Sequence, residues 1–186
     1  MKGKVYNVSD VAKYIINYSI ENNYPINNLK LQKLLYYVQA NFLINKNKPC
    51  FVQDIVHWRH GPVVTEAYSE FRKYFNDNIN DKQSVNIELI ECSDRELIED
   101  VVKAYKNMTP WDMVAKTHEE NPWNNTERNE VIFQLLLCAA AIKDGQRISR
   151  EKCSTFIPYV SVIWVWFSFV KFGNPIINRF CALTTE

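Results

Sequence analysis

Residues 29–43 read LKLQKLLYYVQANFL. Leu31, Leu34, Leu35, Val38 and Phe42 recur at three- and four-residue intervals, the spacing of one face of an α-helix. Asn27 and Asn28 supply a start signal, and the turn-rich NKNKP at 45–49 stops it. On this reading the stripe is core and Leu34 is inside it. Lys30, Lys33 and Tyr37 share another face of the same helix, off the stripe, which is expected to face out of the core.

Other elements follow on both sides. Upstream, Ser9 reads as the N-cap of a helix beginning near Asp10, with Val11, Ile15, Ile16 and Ile20 on one face. Downstream, DIVHWR (54–59) suits a short strand ahead of Gly61-Pro62. From Val64, the set Ala67, Tyr68, Phe71, Tyr74 and Phe75 restores the helical period. VNIELI (85–90) alternates apolar and polar at Val85, Ile87 and Leu89, as a second short strand would. Ser93 to Glu96 has the spacing of a capping box for a helix carrying Leu97, Ile98, Val101, Val102 and Tyr105. Thr109-Pro110 opens another helix, and ENPWNN (120–125) breaks it. Thr126 can cap a helix running through VIFQLLLCAAAI (131–142) to Asp144-Gly145. The expected class is mainly α (α+β): a compact helical domain with a two- or three-stranded β element. It divides into a domain at 1–125, a helical extension at 126–152 and an apolar C-terminal tail at 153–186.

Composition narrows the function classes. The chain has 186 residues, 47% hydrophobic and 23% charged, which predicts one folded domain with a real core. A net charge of +1 gives no global field toward nucleic acid or an anionic surface. Its four glycines never take the spacing of a phosphate-binding loop. The five cysteines (Cys50, Cys92, Cys138, Cys153, Cys181) form no C-x-x-C, so free thiols in a reducing cytoplasm are expected. MKGKVYNVSDVAKYI lacks the apolar core of a secretory leader. The run FIPYVSVIWVWFSFV (156–170) is about 15 residues, short of the roughly 18 of a membrane span. It reads as a covered segment instead.

Two of the three histidines, His57 and His60, lie three residues apart in VHWRHGPVV (56–64). On a strand, an odd offset sends the rings to opposite faces, so a shared metal is not expected. The stretch reads as a strand ending in a Gly-Pro corner, with Trp58 packed inward. The third histidine, in THEENPW, lacks the second histidine of H-E-x-x-H because Pro122 stands there. His118 with Glu119 is the only pair worth testing for catalysis. No nucleophile elbow or zinc-deaminase pattern occurs. Glu119-Glu120 reads as a solvated face. No catalytic residue, metal site or cofactor is expected.

Three stretches taken in order resemble the Panacea domain, also called the SocA-like antitoxin or phage-associated GepA-like family. They are the L-x-K-L-L-Y helix at 31–36, the W-x-x-G-P-V corner at 58–63, and the H-x-x-x-P-W turn of His118, Pro122 and Trp123. The resemblance covers roughly residues 8 to 125. It implies a mostly helical fold, a place in toxin–antitoxin operons on mobile elements, and neutralisation of a cognate toxin, encoded next door, by direct protein contact. Some family function is that of a proteolytic adaptor, so a protease such as ClpXP joins the expected partners. Lys33, Tyr37, His118 and Trp123 are the expected partner-binding residues, while Trp58, Gly61, Pro62 and Pro122 hold the scaffold. The alternative is a nucleic-acid-binding regulator of a mobile-element or phage operon, against which the dispersed basic residues speak. No membrane partner is expected.

Overall fold

A computed structural model describes residues 4–132 of the chain. Six α-helices and one β-hairpin occupy that range: α1 (Val8–Glu21), α2 (Asn28–Lys46), β1 (Val56–Trp58), β2 (Gly61–Val63), α3 (Thr65–Phe71), α4 (Cys92–Tyr105), α5 (Pro110–His118) and α6 (Asn121–Asn124). This is the mainly helical class with a small β element. None of the described helices is long and apolar enough to cross a membrane.

The axis is α2. The Asn27 side chain accepts the Lys30 N–H at 2.9 Å to start it, and Asn47, left-handed at φ 52°, ends it. It packs against α1, α3, α4, α5 and β2. Leu31, Leu34, Leu35, Val38 and Phe42 are all buried, so the stripe is core. Leu34 retains 1% of its surface, and Leu34→Ala is expected to cost about 3 kcal/mol through lost transfer energy and a residual cavity. Urea denaturation measures this; an unchanged midpoint would show that Leu34 is not a core anchor.

The surroundings of α2 overturn the expectation for its other face. The face bearing Lys30, Lys33 and Tyr37 is buried as well. Its polar groups reach loop backbones or side chains: Lys30 Nζ donates to the Lys106 carbonyl at 3.0 Å, and Lys33 Nζ to the Pro62 carbonyl at 3.0 Å. Gln32 accepts the Val64 N–H at 2.9 Å. Gln39 accepts the Cys50 N–H at 2.8 Å and donates to the Phe51 carbonyl at 2.9 Å. Buried polar groups must be paired, and here the pairing fixes loops to the central helix.

Local signals were redirected at several other places. Asn7, not Ser9, caps α1, its side chain accepting the Ser9 N–H at 2.8 Å. No capping box forms at Ser93, because α4 begins at Cys92 without a side-chain cap. Asp94 in its first turn is buried instead, within 3.1 Å of Lys46 Nζ and 2.8 Å of Lys48 Nζ, and accepts the Tyr6 hydroxyl at 2.7 Å. Burial alone would raise its pKa, but the hydrogen bonds from Lys48, Tyr6 and Lys46 hold it below the usual carboxylate value. Thr109 does cap α5 ahead of Pro110, and Asp112 completes a capping box that the sequence reading did not anticipate, with bonds of 3.1 and 3.0 Å.

VNIELI is not a strand. Ile87–Leu89 is a single 3₁₀ turn with Ile87 and Leu89 exposed, and only Ile90 enters the core. Alternation alone makes no strand without a neighbour to complete its hydrogen bonds, and β1 pairs with β2. The described part of the expected extension also departs from helix. Residues 126–132 run back along β1: the Asn129 N–H reaches the His57 carbonyl at 2.8 Å, the His57 N–H reaches Glu130 at 2.9 Å, and the Ile132 N–H reaches Ile55 at 2.6 Å. Val131 bridges Val56 in antiparallel fashion. The remainder of 126–152 and the whole 153–186 tail lie outside the described residues.

Candidate functional site

The Gly-Pro corner is the organising feature. Val56 pairs with Val63, His57 with Pro62 and Trp58 with Gly61, so Arg59 and His60 form a two-residue hairpin loop. Gly61 has φ +94°, a conformation that L-residues rarely adopt. A Cβ there would stand 2.8 Å from both Lys33 Nζ and Thr117 Oγ1. Lys33 rises from α2 into this crowded spot and donates to the adjacent Pro62 carbonyl. It has 0% exposure, no carboxylate lies within ion-pair distance among the described residues, and burial pushes its ammonium down to about 7.

The H-x-x-x-P-W turn closes over the same corner. The Trp123 ring stacks on His118 (centroids 3.9 Å apart, planes 14°) and on His57 (4.3 Å, 19°). His118 Nε2, His57 Nδ1 and Trp123 Nε1 are buried and find no hydrogen-bond partner among the described residues. Burial, with Lys33 and the other two histidines nearby, depresses the pKa of His118; burial and Arg128 depress that of His57. The lowered pKa favours the neutral imidazole in both, the form that stacks against an indole without a charge to desolvate.

Between these groups Glu120 receives two phenols. Tyr36 and Tyr37 donate to its two carboxylate oxygens, each at 2.9 Å. Tyr37 also stacks on Tyr105 at 4.3 Å. Burial first, then the Glu120 charge, raises the pKa of both hydroxyls, keeping them protonated donors. Thr117 Oγ1 donates to the Val114 carbonyl at 2.9 Å, which turns it toward Gly61.

Thus all four residues expected to bind a partner, Lys33, Tyr37, His118 and Trp123, meet at one place, together with Gly61 and Pro62. The placement of Lys33 and Tyr37 on a solvent-facing side is corrected: the hairpin, α4 and α5 cover that side of α2. His118 does not pair with Glu119, which is exposed; Glu120, taken for a solvated carboxylate, is the residue that is used. His57 and His60 part company, His57 going to Trp123 and His60 lying edge-on to Trp111 at 5.3 Å. Trp58 packs edge-on against Tyr68 at 5.0 Å and is only partly buried. Sequence reasoning missed Tyr36, Tyr105, Thr117 and Glu120. The doubled Tyr36-Tyr37 was a faint signal, since two adjacent phenols on a helix can serve one acceptor.

Chemically, this arrangement is a clamp. The lysine amine, although its pKa is lowered, has no exposed surface, and its hydrogen bond goes to the Pro62 backbone carbonyl. What the groups can do is tie the hairpin and the α5–α6 segment to α2 and to each other, because the Lys33–Pro62, Tyr36–Glu120, Tyr37–Glu120 and His57–Trp123 contacts join elements distant in sequence. The residues so joined are those of three separated motifs, and a sequence pattern described as Antitoxin SocA-like, Panacea domain matches residues 31–124, half of the chain.

The chain belongs to the SocA-like antitoxin family of Panacea domains. Antitoxin SocA of Caulobacter vibrioides (strain NA1000 / CB15N) is 29% identical to it over 162 residues, covering 80% of this chain and 85% of that protein. A match taking in that share of the chain runs past Asn124 and into the segment 126–152, beyond the Panacea pattern itself. No solved structure matches.

Proposed function

We propose that this Panacea protein is the antitoxin of a toxin–antitoxin pair and neutralises a cognate toxin, encoded next door, by direct protein–protein binding without turnover of a substrate. The observation that carries the reading is the family match over 31–124, joined to a similarity across most of the chain with a protein named Antitoxin SocA. The geometry supports it: the motif residues are committed to a buried clamp, which gives them the task of holding a surface in shape. Lys33, Tyr37, His118 and Trp123 then serve binding through the corner that they position. Delivery of the bound toxin to a protease such as ClpXP is the finer form of the same reading.

Co-expression with the adjacent gene tests it. The chain is expected to restore growth and to co-purify with the neighbour's product as a stable complex. In cells lacking the protease, rescue without a complex, or a complex without rescue, would overturn neutralisation by binding. A chase after protein synthesis is stopped separates the two forms: an adaptor shortens the toxin's lifetime only where the protease is present, and a simple binder does not.

A further inference from the structure

The outer side of the corner carries a groove of about 930 Å³. Trp58, Tyr68, Phe75 and Trp111 supply its aromatic surface. Phe75 is 80% exposed and Trp111 60% exposed. Large apolar groups left open in one groove are a usual mark of an interaction site. Phe75 also sits at φ 50°, uncommon for a bulky residue, and its exposure shows that core packing does not hold it there.

The groove is also a concentration of positive charge. Arg59, Arg72, Lys73 and Arg128 line it, on a chain whose net charge is +1. Glu70 is the one carboxylate among the lining residues, and it is engaged elsewhere: Lys13 Nζ lies 3.1 Å from it and the Ser9 hydroxyl donates to it at 2.7 Å. Among the described residues, none of the four cations is in an ion pair. Lys46, Lys48 and Lys103, by contrast, lie against Asp94 and Glu99. Arginine and exposed aromatics together are the side chains that dominate binding energies.

We propose that this groove is the docking surface for an acidic segment of the partner protein, one that brings Asp or Glu side chains to the four cations and an apolar anchor to Trp111 and Phe75. The proposal rests on the antitoxin reading for the partner's identity, and on charge complementarity for its chemistry. The chain's own apolar tail is a poor match, since Glu186 is its only carboxylate after Cys153. The clamp behind the groove sets its floor: Trp58 stands on β1 and Gln32 holds the Val64 N–H.

Titration of the full chain with the purified product of the adjacent gene, and separately with a fluorescent peptide alternating Glu and Phe, tests this. Trp111→Ala is expected to weaken both by about 30-fold, as loss of an aromatic anchor does. The pair Arg72→Glu with Lys73→Glu is expected to weaken both and to flatten the dependence of the association rate on salt. Unchanged thermal melting shows that the variants fold, as expected for exposed side chains. If the parent binds the toxin and both variants bind it within threefold, the groove is wrong and the antitoxin reading stands. If the peptide binds in an Arg72-dependent way but no neighbouring product does, the antitoxin reading alone falls. Binding of neither probe overturns the groove, as does tighter binding of single-stranded oligothymidine than of the peptide. A parent dimer that Trp111→Ala disperses would give the groove to a second copy and also overturn the proposal.

Discussion

Gly61→Ala is expected to lower stability by about 2–5 kcal/mol, two effects adding at one atom. A Cβ at φ +94° costs about 1–2 kcal/mol in backbone strain for an L-residue. The same Cβ arrives 2.8 Å from Thr117 Oγ1 and Lys33 Nζ, and overpacking of this kind costs about 1–3 kcal/mol more. Lys33 Nζ is the end of a flexible chain, but it is fully buried and tied to Pro62, so retreat gives up its hydrogen bond. In a chain of this size the melting temperature should fall by about 10 °C. A drop of less than about 3 °C would show that the hairpin absorbs the methyl group and that the corner is not tightly built.

Lys33→Glu is expected to prevent folding, while Lys33→Met is expected to fold. The glutamate would place a second acceptor against the Pro62 carbonyl, with Thr117 already donating to Val114. An unpaired buried carboxylate there costs about 4 kcal/mol or more, a large part of ordinary domain stability. Methionine keeps the volume and removes the charge. It also removes a pH dependence whose sign is fixed. The Lys33 pKa is about 7 in the folded state against an ordinary 10.5, so within that window the unfolded chain holds more proton than the folded one. Stability due to Lys33 therefore rises with pH from about 7 to 10.5, and the burial penalty is fully present below 7. Between about pH 7 and pH 9.5 the parent should gain up to about 3 kcal/mol relative to Lys33→Met. Stopping there limits interference from Cys50 and the buried tyrosines, whose raised pKa values work in the opposite direction, and subtracting the variant removes what is left. Equal slopes of urea-unfolding stability against pH in the two proteins would show that Lys33 does not titrate in this range.

Sequence by itself determined the elements that rest on local periodicity and local hydrogen bonds. Leu31 to Phe42 had to be a helix with a buried stripe because the spacing allows no other face to be apolar. Thr109-Pro110 had to start a helix because its cap closes within four residues. Gly61-Pro62 marked the place where β1 had to end, although the turn itself falls on Arg59-His60 and Gly61-Pro62 opens β2, and the ordered motifs pointed to the family. Periodicity tells which face of a helix is apolar; it does not tell how many neighbours the helix has. Because α2 is surrounded, its polar face is interior too, and Lys33 and Tyr37 point at Pro62 and Glu120 rather than at water. The alternation in VNIELI could not disclose that no strand stood beside it, and the residues after Thr126 could not disclose that β1 offered an open edge. The stacking of His57, Trp123 and His118 and the grouping of Arg59, Arg72, Lys73 and Arg128 join residues from distant parts of the chain. Only the tertiary structure decided them, because the burial and shared field that give those side chains their properties arise when the elements pack together.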